Sequence, residues 1–322
     1  MKAAVYYENG GPHVFRYEDV ADPVPSAAEM LIQVEAVSIE GGDTLNRLAG
    51  PLATVPHVVG YQNAGTVVAV GGDVTGFNVG DRVVSLAFHG SHAALRVAHP
   101  LTTWHVPEGL ATETAACVPV AYGTAHDSLF AFGRLQSGET ALVHAGAGGV
   151  GLAAIQMAKR AGARVLATAS SDERLARLEE FGLDEGINYA DLDFVAEVRR
   201  VTSGKGADVI LDSVGGSNLQ KSLACLAYRG RCITFGNAGR EESSPTDVSR
   251  LVNNNQSLMG YFLGPELFVG SRAHDMIAQL LRDVEAGELK VVVDQRFALS
   301  DAEEAHAYIE SRRAFGRVLL IP

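Results

Sequence analysis

Residues 140–151 read TALVHAGAGGVG, an apolar run that closes on Gly146, Gly148, Gly149 and Gly151. The run is short enough for a strand. Residues 150–161 after it carry a helical pattern, and a second apolar strand, 164–169, begins about 13 residues past Gly151. A G-x-G-x-x-G turn between a strand and a helix, with another strand behind it, is the form of a βαβ unit that holds a dinucleotide. Each glycine has a physical task in such a turn. Gly146 permits the tight bend, Gly148 lets the backbone approach a pyrophosphate, and Gly151 lets the helix lie close on the strand. The N–H groups around Gly149 and Val150, at the helix start, would then face the anion.

Downstream of this turn the alternation continues: helix 172–181, strand 185–188, helix 193–202, strand 208–212, helix 219–226 and strand 231–235. Strands and helices alternating every ~20–25 residues build a doubly wound parallel sheet. Upstream the texture differs. Residues 1–7 (MKAAVYY), 29–39 (EMLIQVEAVSI), 65–71 (GTVVAVG) and 81–87 (DRVVSLA) are short, β-branched runs broken by Gly, Pro and Asp. The tail carries a helix at 273–286, a strand at 291–297, a short helix at 302–311 and a final strand at 317–321, and is expected to return to the β-rich front. The fold class is therefore α/β, with two architectures on one chain.

Composition narrows the function. The chain has 322 residues, 47% of them hydrophobic and 20% charged, which excludes disorder. Its net charge of −12 argues against nucleic acid or an anionic membrane as the main partner. Thirty-five glycines, against a typical share of ~7%, mark many tight turns or close approaches. Cys117, Cys225 and Cys232 form neither a disulfide framework nor a Cys-x-x-Cys pair, so a reducing, cytoplasmic setting is expected. The uncharged stretch 140–158 is long enough for a bilayer, but His144, Gln156 and its clustered glycines suit strand, turn and helix better. Neither a signal peptide nor a membrane span is expected.

The end of the second strand bears on which dinucleotide binds. Residues 167–174 read ATASSDER, with no carboxylate until Asp172. Ser170 and Arg174 offer the room, donor and positive charge that a 2′-phosphate needs, which favours NADPH over NADH. The competing assignment makes Asp172 the ribose ligand and Arg174 a solvated helix charge. Ser171 and Asp172 also read as a helix cap with an acidic first turn, which accounts for that carboxylate without a ligand.

Six groups of residues, in order, resemble one family. They are Asp43 with Arg47 and Gly50; Gly80-Asp81-Arg82-Val83; residues 145–151; Asp212-Ser213-Val214-Gly215-Gly216; Phe235-Gly236-Asn237; and Gly316-Arg317-Val318. The chain resembles the zinc-independent quinone oxidoreductase (zeta-crystallin-like) branch of the medium-chain dehydrogenase/reductase superfamily. That resemblance implies a GroES-like β-barrel catalytic domain from residues 1–121 and 261–322, with a Rossmann domain, 122–260, inserted. It places Thr124 at the nicotinamide ribose, and Ser170, Arg174 and Tyr189 around the 2′-phosphate and adenosine. Phe235, Gly236, Asn237, Phe262 and Leu263 would line the nicotinamide, and Arg317 joins the cofactor set. It implies a homodimer joined through Rossmann edge strands, with 231–235 and 256–263 as interface elements. Acceptor size would depend on segments 45–57 and 236–270.

Metal chemistry is not expected. Zinc alcohol dehydrogenases of the same superfamily carry Gly-His-Glu where this chain has Gly60-Tyr61-Gln62. Their first Cys ligand has no counterpart at 39–42, and their third position is Val120, with Cys117 three residues out of register. Three cysteines cannot make a four-Cys structural loop, and His89, His92, His99 and His105 lack suitable partners.

Without a Lewis acid, hydride transfer needs an acceptor that stabilises negative charge itself: a quinone, or the C=C bond of an α,β-unsaturated carbonyl. The proton donor is the open point. The resembling family has an Asn three residues before Asp43 and a Tyr two after it, where this chain has Glu40 and Leu45. Glu40 reads as a polar anchor or raised-pKa acid, or else as an exposed loop carboxylate. Asp43 reads as a holder of backbone N–H groups. Tyr61 is either a donor in the site or a packed core tyrosine. His89, His92 and His126 are assigned ordinary loop or surface roles. A reading from another class is a non-catalytic NADPH-binding, crystallin or RNA-binding protein, although Arg199-Arg200 and Arg312-Arg313 are only isolated basic pairs.

Overall fold

Six strands in the middle of the chain form one parallel sheet, in a computed structural model that describes residues 1–242, 245–247 and 249–322. Across the sheet they run Glu185–Asn188, Arg164–Ala169, Thr140–Val143, Ala207–Asp212, Leu226–Thr234 and Ser257–Gly260. Counted along the chain this is the order 3-2-1-4-5-6 of a doubly wound dinucleotide fold, whose direction of winding reverses between Thr140–Val143 and Ala207–Asp212. The strands are nearly continuous apolar runs because helices cover both faces. Leu142, Leu166, Ile187, Ile210 and Cys232 from the strands pack with Phe194, Val198 and Leu223 from the helices.

Local chemistry sets the helix starts in this unit. Ser171 caps the Asp172–Leu178 helix by accepting from the Arg174 N–H, and Asp193 caps Phe194–Val201 by accepting from the Val195 N–H. The Gly149–Arg160 helix ends with Lys159 and Arg160 against its negative pole. Of the two segments expected to meet a partner subunit, Leu226–Thr234 is paired on both sides and so lies inside the sheet. Ser257–Gly260 is an edge strand.

The chain divides into two compact units: Thr124–Phe262, which carries this sheet, and Met1–Gly123 with Leu263–Pro322. The latter is built on a seven-stranded, mostly antiparallel sheet. Its final strand, Arg317–Ile321, pairs antiparallel with Met30–Ser38 and parallel with Val293–Ala298. Tyr6 and Phe15 from the start of the chain thus share a core with Leu299, Ala305, Val318 and Leu320 from its end.

A buried polar chain crosses that core. Arg47, fully buried, donates from Nη1 to His306 Nδ1 at 2.9 Å and is ion-paired through Nη2 with Glu310. His306 Nε2 lies 3.0 Å from His92 Nε2, and His92 Nδ1 lies 3.2 Å from Ser91 Oγ. A guanidinium can only donate, which fixes every proton along the line. His306 Nδ1 accepts, so His306 Nε2–H donates to His92, and His92 Nδ1–H donates to Ser91. Both imidazoles are neutral: burial, with Arg96 and Arg47 adding to it, pushes His92 down to about 3. Burial, His92 and Arg47 hold His306 well below its ordinary value. His92 is therefore not the loop or surface residue the sequence suggests, because an imidazole in a polar run gives no sign of a partner 214 residues away.

This arrangement carries an acid-stability signature. The unfolded chain binds protons on these histidines below pH ~6.5 and the folded chain does not, so their contribution is complete above that pH and is lost as pH falls toward the depressed folded values. Each imidazole adds up to about 1.4 kcal/mol per pH unit within that window. In urea unfolding between pH 7 and pH 4.5, His306→Gln should show a shallower loss of stability than the native protein, since the amide can still accept from Arg47 without titrating. Equal slopes would contradict the neutral pair.

Candidate functional site

In the parallel-sheet unit, Thr140–Val143 runs into the glycine turn, whose positions differ in what surrounds them. A Cβ on Gly146 would lie 2.9 Å from the Ala167 Cβ, and one on Gly151 would lie 2.5 Å from the Ala145 carbonyl oxygen. Gly146 is pressed by the neighbouring strand and by Leu178 and Ile155 from two helices, and Gly151 by the turn itself. Gly148 is different: its Cβ would meet only the Ala145 oxygen, at 3.4 Å, so its outer side is open. Gly148 is also the N-cap of the Gly149–Arg160 helix and supplies no side-chain cap to the N–H groups of Gly149, Val150 and Gly151. Open space in front of uncapped helix N–H groups fits a pyrophosphate.

Beneath the turn lies a polar network that the sequence reading did not single out. His144, buried, sits 3.1 Å from Thr168 Oγ1 through Nδ1 and 3.0 Å from Ser222 Oγ through Nε2. Ser222 donates to Asp212 Oδ2 at 2.8 Å, so it accepts from His144 Nε2–H, and Thr168 donates to Nδ1. Burial keeps His144 below its ordinary pKa and so neutral. Asp212 Oδ1 in turn accepts from the N–H groups of Val214 and Gly215, at 2.8 and 2.9 Å. The glycine turn and the loop after the Ala207–Asp212 strand are thereby tied together where the strand order reverses. A polar residue one place past an apolar strand was the available signal.

The other cofactor candidates of this unit lie on two helices, Thr124 and Arg174, and at strand ends and their loops. Thr124 is buried on the Pro119–Asp127 helix, Ser170 and Arg174 are half-buried, and Tyr189 is exposed, its N–H bonded to the Ala169 carbonyl. Asp172 accepts from the Asn188 amide at 3.2 Å, an intramolecular partner for the one carboxylate that could have argued for NADH. Phe235 is half-buried, Gly236 and Asn237 are exposed, and Asn237 donates to the Glu241 carbonyl. Phe262 is exposed. Within segment 236–270, Ser243, Ser244 and Val248 lie outside the described residues.

In the other unit, the catalytic candidates gather at the Gly41–Ala49 helix, which the sequence reading did not place. Asp43, at the third position of the helix, accepts from the Glu40 N–H at 2.9 Å and from the Tyr61 N–H at 3.1 Å. Glu40 is buried, not an exposed loop carboxylate. Its Oε1 accepts from both the Arg317 guanidinium and the Gln62 amide. Arg317 also donates to Ser38 Oγ and to the Ile39 carbonyl, while Gln62 Oε1 accepts from the Val120 N–H at 2.9 Å. Leu263 is buried and packs by Gly123.

Hydrogen bonds join the residues at the three places where the sequence departs from the zinc enzymes, through the backbone N–H in the case of Tyr61. Glu40 meets Gln62, Gln62 meets Val120, and Tyr61 meets Asp43. The local cation is the guanidinium of Arg317, whose pKa burial lowers while Glu40, Cys117 and Asp43 together raise it by more. Two buried carboxyls face this one cation. Burial pushes Glu40 up to about 7 against the charge and hydrogen bonds of Arg317, and burial together with the Glu40 charge pushes Asp43 up to about 7 against its backbone donors. Burial thus holds both carboxyls above the ordinary carboxylate range.

Tyr61 is half-buried, and its ring fills the space a Cβ on Gly42 would need, 2.4 Å from Cε2. Its hydroxyl accepts from Asn46 Nδ2 at 3.1 Å. Burial and the Asp43 charge raise its pKa, so the phenol keeps its proton at neutral pH.

Comparison with known proteins places both units. Residues 26–120 match the alcohol dehydrogenase GroES-like domain and residues 149–284 match the zinc-binding dehydrogenase family. The chain is 35% identical to a quinone oxidoreductase of Pseudomonas aeruginosa over 97% of both chains. It is 33% identical to the 2-haloacrylate reductase of a Burkholderia species over 100% of this chain and 99% of the relative. Among solved structures, mycobacterial Rv1454c complexed with NADPH superposes with a TM-score of 0.94 at 35% identity, covering 100% of both chains.

The Glu40–Arg317 pair makes a direct prediction. Arg317→Met leaves a buried carboxyl without its cation and should cost about 3–5 kcal/mol in urea unfolding at pH 8. Adding Glu40→Gln should recover a large part of that loss. A double variant no more stable than Arg317→Met would show that the pair is not coupled.

Proposed function

The chain belongs to the zinc-independent quinone oxidoreductase branch of the medium-chain dehydrogenase/reductase superfamily, and on that premise we propose that it transfers hydride from NADPH to a quinone or to the C=C bond of an α,β-unsaturated carbonyl. The observation that carries this reading is the open face of Gly148 in front of uncapped helix N–H groups. Bound NADPH supplies the hydride, and one proton from the protein or solvent completes the reduction of the acceptor.

This chain's residues would divide the work as follows. Gly146 and Gly151 hold the turn in shape, and the N–H groups of Gly149 and Val150 bind the pyrophosphate at Gly148. Ser170 and Arg174 hold the 2′-phosphate, with Tyr189 beside the adenosine. Thr124 would orient the nicotinamide ribose, and Phe235, Gly236 and Asn237 would line the nicotinamide side. The Tyr61 hydroxyl donates to the acceptor oxygen on which negative charge develops. Glu40 and Asp43, each committed to donors within its own unit, anchor the backbone around Tyr61, and Arg317 holds Glu40 in place.

In this reading residues 1–121 with 261–322 receive the acceptor and residues 122–260 the dinucleotide. The relative named as a 2-haloacrylate reductase supports keeping activated alkenes beside quinones as acceptors. A homodimer through the outer edge of Ser257–Gly260 fits a strand that is paired on one side only among the described residues, and a cytoplasmic setting fits three buried thiols without disulfides. Among the described residues no helix is long and apolar enough to cross a membrane.

The test is turnover. Purified protein should oxidise NADPH with 1,4-benzoquinone or with an α,β-unsaturated ketone, and Arg174→Ala should raise KM for NADPH by roughly 10–100-fold, the worth of a charge-assisted hydrogen bond, with little change for NADH. Absence of NADPH consumption with both acceptor classes would overturn the proposal. An equal effect of Arg174→Ala on the two cofactors would remove the 2′-phosphate assignment.

A further inference from the structure

Tyr61 is held at every polar group it has except one. Its N–H donates to Asp43 Oδ1 at 3.1 Å, and its carbonyl accepts from Arg96 Nη2 at 2.9 Å. Its phenol oxygen accepts from Asn46 Nδ2 at 3.1 Å. No described residue accepts the phenol proton. Its ring lies over Gly42, where any side chain would collide with Cε2, Cζ and the hydroxyl.

The residue behind it is as firmly set. Arg96 is buried without a carboxylate in hydrogen-bond contact. It donates to Asn63 Oδ1 at 2.7 Å and to the carbonyls of Tyr61 and His89, at 2.9 and 2.8 Å. Gly60, at φ +113°, lets the chain make this approach, since a Cβ there would fall 1.9 Å from Ser91 Oγ. The phenol is thus fixed in place from behind and from the side, and its free valence is a proton to give.

We propose that Asn46 is the positioning residue that makes Tyr61 a donor: its amide N–H occupies the acceptor side of the phenol oxygen and leaves the O–H hydrogen directed at the carbonyl oxygen of the acceptor. This deepens the assignment of Tyr61 made above and rests on it. The chemistry is one of direction and of charge. An amide donor on the phenol oxygen disfavours any orientation in which the phenol itself accepts. It also stabilises the negative charge that builds on that oxygen as its proton moves toward the acceptor. Asn46 lies one residue past Leu45, the position at which the resembling family carries a tyrosine, so the phenol here reaches the same helix from Tyr61 at the start of the Gln62–Val70 strand.

The experiment is a double-mutant cycle read by steady-state kinetics with NADPH and an α,β-unsaturated ketone. Tyr61→Phe should lower kcat roughly 100-fold, as loss of one oxyanion donor does, with KM for NADPH unchanged. Asn46→Leu should lower kcat about 10-fold, the order of one hydrogen bond, and have no further effect in the Tyr61→Phe background. Asn46→Asp, which keeps the shape but turns the donor into an acceptor for the phenol proton, should lose at least as much as Asn46→Leu. Alkaline titration near 295 nm, with Tyr61→Phe subtracted, should show the Tyr61 phenol ionising at higher pH in Asn46→Leu than in the native protein. A merely structural asparagine would not move that ionisation. Full kcat in Tyr61→Phe would overturn the reading of Tyr61 itself. A lowered kcat in Tyr61→Phe with full kcat in Asn46→Leu or Asn46→Asp, or a further loss from Asn46→Leu in the Tyr61→Phe background, would overturn the role of Asn46 alone.

Discussion

A guanidinium removed from water must have its N–H groups answered, and the GroES-like unit buries three of them. Arg317 takes Glu40, Ser38 and the Ile39 carbonyl; Arg47 takes Glu310, His306 and the Gly10 carbonyl; Arg96 takes Asn63 and the carbonyls of Tyr61 and His89. Each demand joins segments far apart in sequence. Arg317 fastens the last strand to the turn before the Gly41–Ala49 helix, and Arg47 fastens that helix to the Ala302–Glu310 helix. Such pairs are costly to bury and costlier to break, so they act less as sources of net stability than as locks on one arrangement. The arrangement they lock includes Tyr61, whose carbonyl accepts from Arg96 and whose N–H donates to Asp43.

The parallel-sheet unit buries one arginine, Arg231, against Glu139, and near the glycine turn it relies on hydroxyls, an imidazole and the carboxylate of Asp212. Thr168, His144, Ser222 and Asp212 form a continuous line of hydrogen bonds. It joins the glycine turn to the next strand-end loop without a net charge near the turn beyond that of Asp212. A bound pyrophosphate would then meet backbone N–H groups on a base that is already rigid, which lowers the ordering cost of binding.

Much of this was legible in the sequence. The spacing of apolar runs in residues 140–235 foretold the parallel sheet, because strands covered on both faces have few polar interruptions. The glycine turn was readable for a different reason: packing demands glycine at Gly146 and Gly151, and Gly148 leaves open space at the helix start. The Glu40 environment was not readable. An arginine 277 residues away decides whether that carboxylate is an exposed loop group or a buried ion, and nothing near position 40 announces it. His92 and His306 escaped for the same reason. The Gly41–Ala49 helix escaped because it opens on two glycines, which weaken a helix, and is held instead by Asp43 at its third position. Long-range polar pairs, not apolar periodicity, are what a single sequence conceals.

On the proposed function, NADPH gives hydride directly to the β-carbon of an activated alkene without the help of a metal ion. Deuterium tracing tests it most directly. The chelator-treated enzyme, given NADPH carrying deuterium at the transferable C4 position and an α,β-unsaturated ketone, should place that deuterium on the β-carbon of the saturated product, with turnover equal to that of untreated enzyme. Deuterium lost to solvent, or turnover that returns only when zinc is added, would contradict it.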